Sequence, residues 1–311
     1  MTPPRVALLV NPAAGRGAAA RAAGPVRRAL DTAGLTVVPV VGDSAEESRA
    51  ALRGLVAADG PAPAAAATGV DAVVAVGGDG TASLAVDATA GTGVPLGLVP
   101  AGTGDDLAAA LGLAPGDPGA AATALAAALL EGRHRAVDAV RVTGGGVGVR
   151  WYGNVLGAGF DSAVTERANR LSWPRNRLRY DLAVLAELRV FRPAAFRLEL
   201  DGDAWETEAM LVAVGNGHRY GAGMRICPDA RPDDGLLDVT VVLPVSTARF
   251  VGVFPRVYRG THTDHPAVVT RRARTVALAA AGQVAYADGE RLGPLPVTAE
   301  CVPGALRVLG D

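Results

Sequence analysis

Asp71-Ala72-Val73-Val74-Ala75-Val76-Gly77-Gly78-Asp79-Gly80-Thr81-Ala82-Ser83-Leu84-Ala85-Val86-Asp87-Ala88 reads as a strand, a glycine turn and a helix. The Val-rich run Asp71–Val76 suits a buried strand, and Ala82–Ala88 suits a helix packed onto it. A glycine turn at such a junction exposes backbone N–H groups to an incoming phosphate. Its glycines permit positive φ and close approach of an anion. Asp79 makes the turn unusual, because a carboxylate beside a polyphosphate is repulsive unless a cation lies between them. The stretch therefore predicts a metal–nucleotide site. A glycine turn alone describes an ordinary buried connection equally well, so the weight falls on its surroundings.

Two more units of the same kind flank it. Leu96-Gly97-Leu98-Val99 runs into Pro100-Ala101-Gly102-Thr103-Gly104-Asp105-Asp106 and the helix Leu107–Leu111. Thr103 or Gly104 is the expected helix cap, and the two acids suit the positive end of its dipole. Nearer the start, Val6–Val10 leads into Asn11-Pro12-Ala13-Ala14-Gly15-Arg16-Gly17 and an Ala/Arg-rich helix. Three such units place three loops along one edge of a parallel sheet, the edge at which open α/β folds bind ligands.

Composition narrows the class. A chain of 311 residues, 50% hydrophobic and 20% charged, is long enough for two globular domains with real cores. A net charge of −1 provides no global field to pull the protein onto nucleic acid or an anionic membrane, and no nucleic-acid partner is expected. The chain has no Lys, which excludes the Lys-dependent phosphate chemistry of Walker-type NTPases and protein kinases. Cys227 and Cys301 are far apart and lack metal-ligand spacing, as in a reduced cytoplasmic protein. The N-terminal segment has no signal-peptide apolar core, and no apolar run reaches the roughly 20 residues that span a bilayer.

Residues 1–132 alternate strand and helix and predict an α/β domain with a parallel sheet; Gly60–Gly69 reads as a loop within it. Near Gly132-Arg133-His134-Arg135 the pattern changes. Residues 133–304 read as mainly antiparallel β, with strands at Val137–Val142, Val147–Tyr152, Phe196–Leu200, Glu208–Val214, Leu237–Leu243, Thr275–Leu278, Val284–Ala287 and Val297–Cys301. Helices are expected at Leu178–Val190 and Thr247–Tyr258.

The ordered set of motifs resembles the diacylglycerol kinase catalytic family, the soluble bacterial lipid kinases related also to sphingosine kinases. Asn11–Gly15 is similar to its NPxSG opening, Gly77–Thr81 to its GGDGT signature, and Pro100–Asp106 to PxGTxND, with Asp105 where Asn is usual. Asn154–Asp161 is similar to N…GxGFD, and Gly215–Gly217 with Gly221–Met224 to GNGxxyGGGm. Asp233–Asp238 is similar to DDGLLD, and Asp288–Glu290 to a late DGE. The resemblance covers nearly the whole chain in order. It implies a NAD kinase-like α/β domain, a β-sandwich second domain, and a last strand, near residues 305–311, that returns to the first domain. Leu306–Leu309 is the candidate for that return.

The resemblance also implies roles. ATP is the phosphoryl donor and Mg²⁺ the metal. Gly77, Gly78, Gly80 and Thr81 cradle the nucleotide, with Asn11, Pro12, Gly15 and Arg16 from the first loop and Gly102, Thr103 and Asp106 from the later one. Arg16 stands where relatives often carry Lys. Asp79 holds Mg²⁺ through water. Asp288 is the general base and Glu290 its partner in the metal–water network, or the two exchange roles; a bare DG is also a common hairpin turn. In relatives a structural Mg²⁺ sits at positions that here are Asp234, the carbonyl of Leu236 and the carbonyl of Arg231; the alternative is a polar turn. His262-Thr263-Asp264-His265 reads as a polar loop rather than a metal site. The basic stretch around Arg170, Trp173, Arg175 and Arg177 is either a solvated connection or a cationic lip touching lipid headgroups.

The expected activity is phosphorylation of a lipid hydroxyl, with diacylglycerol giving phosphatidic acid. The lipid alcohol would be reached at the membrane surface from the aqueous side, by a cytoplasmic protein with peripheral contact at the inner face. Two rivals stand beside it: a NAD kinase-like phosphotransferase, and a catalytically silent nucleotide- or lipid-binding regulator. Intact Asp79, Asp288 and Glu290 speak against the regulator. The oligomeric state stays open, a homo-oligomer included.

Overall fold

The computed structural model describes residues 2–57, 69–146, 148–171, 173 and 178–310. Strands β1 (Arg5–Val10), β2 (Thr36–Val40), β3 (Ala72–Gly77) and β4 (Leu96–Pro100) lie side by side in the order β2-β1-β3-β4, all parallel. Helices α1 (Ala18–Thr32), α2 (Ala45–Ala57), α3 (Asp79–Thr89), α4 (Asp106–Ala110) and α5 (Pro118–Leu130) connect or flank them. Strand β3 shows why the sequence reads as a continuous apolar run. Its Val74 and Val76 pack with α1 and α5, while Val73 and Ala75 pack with α2 and α3. A strand buried on both faces has no polar face to alternate with.

The rest of the chain is mainly antiparallel. It comprises β5 (His134–Gly144), β6 (Arg150–Tyr152), β7 (Val155–Gly159), α6 (Phe160–Arg170), α7 (Leu178–Val190), β8 (Ala194–Leu200), β9 (Asp203–Ala209), β10 (Leu211–Gly215), β11 (Leu237–Val242), α8 (Thr247–Val257), β12 (Val268–Ala273), β13 (Thr275–Ala279), β14 (Val284–Ala287), β15 (Glu290–Pro294) and β16 (Val297–Leu309). One sheet runs β12-β11-β10-β7-β14-β15. The other continues the parallel sheet as β4-β16-β13-β8-β9, with β5 on β16 and β6 on β5. Leu156, Val212, Val239 and Ala285 of the first face Val140, Phe196, Leu198, Val276 and Leu278 of the second across one core. That is the sandwich.

Strand β16 joins the two halves. Its first part pairs with β13 and β5, the register shifts between Val302 and Leu306, and Val308 then pairs in parallel with Leu96 of β4. Both cysteines are buried and free.

Several expected elements need correction. Glu208–Val214 is two strands rather than one. Met210 stands between them, its N–H donating to the Val242 carbonyl at 2.7 Å and its carbonyl accepting from Phe160 N–H at 2.8 Å. The chain changes sheet there, which no local periodicity records. The strand expected at Val147–Tyr152 spans Arg150–Tyr152, and Val147 lies outside the described residues, as does most of the Gly60–Gly69 loop. Strands β7, β9, β12 and β15 and helix α6 were not expected. Among the described residues no helix is long and apolar enough to cross a membrane.

Candidate active site

The GGDGT stretch is a helix start more than a loop. Gly78 is the N-cap of α3, with φ −97° and ψ −164°, and Asp79 to Thr81 already lie in its first turn. Gly77, Gly78 and Gly80 all avoid positive φ, contrary to the reading from the sequence. What requires glycine is space. A Cβ on Gly77 would stand 2.2 Å from Thr81 Oγ1, and one on Gly78 would stand 3.1 Å from the Cα of Gly102. A Cβ on Gly102 would in turn stand 2.5 Å from the Gly78 Cα, so these two loops meet backbone to backbone. The first loop closes on the same place: a Cβ on Gly15 would fall 2.0 Å from the Ala101 carbonyl oxygen. The Thr81 hydroxyl is buried without a hydrogen-bond partner.

Helix α4 is capped from outside its own segment, neither by Thr103 nor by Gly104. Asp79 Oδ1 accepts from the N–H groups of Asp106 at 2.6 Å and Leu107 at 3.3 Å. Asp105, the true N-cap residue, is left-handed at φ 51°, a conformation that Asn tolerates better than most residues. Its carboxylate turns back onto Gly102 N–H at 3.0 Å, and burial pushes its pKa up. Asp106 is buried and reaches across the cleft. It accepts from Ala222 N–H at 2.6 Å and faces Arg219 Nε at 3.4 Å, so it braces the β4–α4 loop against the β10–β11 loop. Burial raises its pKa, with Asp79 adding to the rise.

From the other side comes the β14–β15 hairpin. Asp288 and Gly289 both take left-handed backbone, φ 48° and 82°. The hairpin reading therefore holds for this dipeptide. Such a turn aims the Asp288 carboxylate at the N–H groups of Gly153 (2.8 Å), Asn154 (3.2 Å) and Val155 (3.0 Å). Those donors favour the charged form, but burial outweighs them and lifts the pKa to about 6, with Asp79 adding to the lift. Glu290 lies against the first helix turn. A Cβ on Gly80 would be 3.7 Å from its Oε1, and Arg49 Nη2 is 3.9 Å from its Oε2.

Between these groups opens one cavity of about 1230 Å³. Arg16, Asp79, Thr103, Gly104, Asp106, Asn154 and Asp288 line one end. Beyond Asp288 the lining turns apolar, with Phe160, Val164, Leu185, Leu211, Ile226, Phe250, Val253, Phe254 and Val257. Phe250, Val253, Phe254 and Val257 are spaced i, i+3, i+4, i+7 on α8, a stripe visible in the sequence whose partner was not. Asp161 also lines the cavity and bonds Tyr220; burial lifts its pKa to about 6. Sequence reasoning matched its motif but gave it no role.

Other expected site residues stand apart. Gly77, Gly78, Asp79 and Asp105 line a narrow crevice beneath the helix start. Asn11 folds its side chain onto Ala13 N–H at 3.1 Å, and Asn11, Pro12 and Gly15 do not line the main cavity. At the turn before β11, Asp234 Oδ1 accepts from Leu236 N–H at 3.1 Å, while its other oxygen is hydrogen-bonded to Arg272. Arg231 pairs with Asp233 at 3.7 Å. A guanidinium thus occupies the acidic side of the turn, and these residues do not fit a divalent ion. His262 is buried with Nε2 3.1 Å from the Ile226 carbonyl, which burial rather than a metal explains. Arg170 ends α6, and Trp173 is 78% exposed; Arg175 and Arg177 lie outside the described residues.

Comparison with known proteins agrees with this geometry. The family model of the diacylglycerol kinase catalytic domain matches residues 5–142, and that of the YegS C-terminal NAD kinase beta sandwich-like domain matches residues 154–310. A protein named diacylglycerol kinase from Mycobacterium tuberculosis is 41% identical, over 98% of this chain and 94% of that one. The chain belongs to the diacylglycerol kinase catalytic-domain family. A Stenotrophomonas maltophilia protein named "Probable lipid kinase YegS-like" is 34% identical over 77% of this chain and 79% of its own. Among solved structures, a Bacillus anthracis diacylglycerol kinase superposes with TM-score 0.68 at 20% identity, covering 99% of this chain and 97% of that one. An Archaeoglobus fulgidus NAD kinase in complex with ATP superposes with TM-score 0.55 at 13% identity, over 99% of this chain and 94% of that one. At those identities the likeness concerns fold alone. This family member therefore combines a NAD kinase-like scaffold with a large, mostly apolar cavity beside its glycine-rich loops.

Proposed function

We propose that this chain transfers the γ-phosphoryl group of ATP, with Mg²⁺, to the hydroxyl of a lipid alcohol, converting diacylglycerol to phosphatidic acid. The observation that carries the reading is the single cavity that is acidic and glycine-edged at one end and apolar at the other. A dinucleotide acceptor is polar along its length and would leave Phe160, Phe250 and Phe254 against charged groups. An acyl chain suits them.

Phosphoryl transfer needs positioning, charge neutralisation and a proton acceptor. The N-terminus of α3 and Arg16 supply positive potential for the phosphates. Asp79 stands close enough to raise the proton affinity of both Asp106 and Asp288, and three carboxylates so placed suit a cation. Among the described residues no three acidic, His or Cys side chains form a direct ligand group, so Asp79 would hold Mg²⁺ chiefly through water. When bound, the ion neutralises charge on the phosphates. Asp288, held by three N–H groups at the start of the apolar end, accepts the proton of the lipid hydroxyl. A pKa near 6 makes it a better base than a solvated aspartate while leaving it ionised at neutral pH.

The membrane supplies the acceptor. Trp173 and Arg170, 78% and 80% exposed, suit contact with its surface. The test is incubation of purified protein with labelled ATP, Mg²⁺ and a panel of diacylglycerol, other lipid alcohols and NAD. Label in diacylglycerol is the expected result. Label in NAD alone would reassign the activity, and label in nothing would leave the regulator.

A further inference from the structure

We propose that Arg272 is a built-in cation for the turn that opens β11, and that this chain uses it where a family member would otherwise hold a divalent ion. Arg272 lies directly opposite Asp238 in the β11–β12 register. Its Nε is 3.3 Å from Asp238 Oδ2, and its Nη2 is hydrogen-bonded to Asp234 Oδ2. One guanidinium fork thereby joins a turn carboxylate to a strand carboxylate. Both Asp234 oxygens are already engaged, since Oδ1 accepts from Leu236 N–H. A divalent ion would have to compete with those hydrogen bonds beside a fixed positive charge, and the charge opposes it most. Arginine keeps its charge throughout the accessible pH range, so the replacement is permanent.

The turn has work for a cation to do. Gly235 N–H donates to Asp138 Oδ2 at 2.7 Å, and Asp138 N–H donates to the Pro232 carbonyl at 2.8 Å. Asp138 Oδ1 also accepts from Gly304 N–H at 2.9 Å. The turn is therefore tied to β5 and to the irregular middle of β16, the strand shared by both halves of the molecule. Without a cation, Asp234 and Asp238 would repel across its base, with Asp229 adding to the field at Asp238.

The test is thermal unfolding of the nucleotide-free protein in excess EDTA and in excess MgCl₂, which reads the turn independently of catalysis. Wild-type protein should show the same Tm in both. Arg272→Met should unfold about 2–4 °C lower in EDTA and recover in MgCl₂. Adding Asp234→Asn to Arg272→Met should abolish that recovery. A wild-type Tm that rises with MgCl₂ and loses the rise in Asp234→Asn would overturn the proposal. So would an Arg272→Met protein that keeps the wild-type Tm, or one that drops and ignores MgCl₂.

Discussion

Asp288 and Asp161 both reach a pKa of about 6 through burial, and their surroundings give that shift different consequences. Asp288 faces Asp79 at the polar end of the cavity, and its ionised form is the one that can take a proton. The rate should therefore rise as pH rises through about 6 and level off above it. Asp288→Asn should lower kcat by about 10²–10⁴-fold and remove that acid limb, while ATP affinity measured by calorimetry stays near the wild-type value. An Asp288→Asn enzyme of full activity would transfer the base role to Glu290. Asp161 offers a test on stability instead. Its folded pKa lies above the unfolded value of 3.8, so folding disfavours its charged form. The penalty is absent below the unfolded pKa, grows between the two values and is complete above about 6. Asp161→Asn should therefore stabilise the protein by about 1–3 kcal/mol at pH 8 and by almost nothing at pH 3. Urea titrations at the two pH values check it, and an equal effect at both would place the cause in packing.

Helix α3 shows how an element can be fixed by a single acid. Asp87, with its side chain 1% exposed, faces Arg49 Nε at 3.1 Å, Arg53 Nη2 at 3.0 Å and Arg150 Nε at 2.9 Å, and accepts Trp151 N–H at 2.8 Å. It ties α2 and β6 to the helix whose first turn carries Asp79. Asp87→Ala leaves several guanidinium groups clustered without their counter-charge and should cost about 3–5 kcal/mol, the usual effect of breaking a buried ion pair. Chemical denaturation measures this directly, and a loss below 1 kcal/mol would mean that the arginines find other partners. Elements of this kind mark how far the sequence could be read. Strands β1, β3 and β4 were legible because both their faces are buried and a glycine-rich loop follows each. Strand β7 was not, since Val155-Leu156-Gly157-Ala158-Gly159 lacks the β-branched pattern and takes its place from β10 and β14 on either side. Helix α6 was hidden by its own last turn, where Arg167 and Arg170 read as a solvated connection. The glycines of the GGDGT stretch were recognised but for the wrong reason, because a close approach between two distant loops cannot be seen along one of them. The cap of α4 was missed likewise, since its acceptor, Asp79, lies 27 residues earlier.

At the scale of the whole molecule, β16 makes one continuous sheet of two motif sets that are far apart in sequence, and the site exists only where they face each other. Of the polar lining, Arg16, Asp79, Thr103, Asp106 and Asp288 were singled out as site residues in the sequence, whereas Gly104 and Asn154 were not. The apolar end was not legible, because Phe160, Leu211, Ile226 and Phe254 come from three separate elements and a loop and signal only a core until a void appears between them. The exposed Arg170 and Trp173 allow a test of how the protein meets its substrate. Arg170→Ser with Trp173→Ser should lower activity on anionic vesicles by about fivefold, one cation near such a surface contributing about 1 kcal/mol, and leave activity on detergent-dispersed lipid nearly unchanged. Equal loss in both assays would remove the membrane contact. The depth of the cavity predicts a second separation. Val253 lines it from α8, well along the sequence from every nucleotide-side loop, and Val251 on the same helix is 49% exposed and is not part of the lining. Val253→Trp adds a bicyclic side chain to space that an acyl chain would occupy, so turnover of long-chain diacylglycerol in detergent should fall by about tenfold or more, the lower end of what a few buried methylenes contribute. Val251→Trp should leave it unchanged. ATP affinity should be the same in both variants, and a short-chain acceptor should restore turnover to Val253→Trp. If Val253→Trp handles long chains as well as wild type, the lipid lies elsewhere; if it also loses ATP, the two ends of the cavity do not act separately.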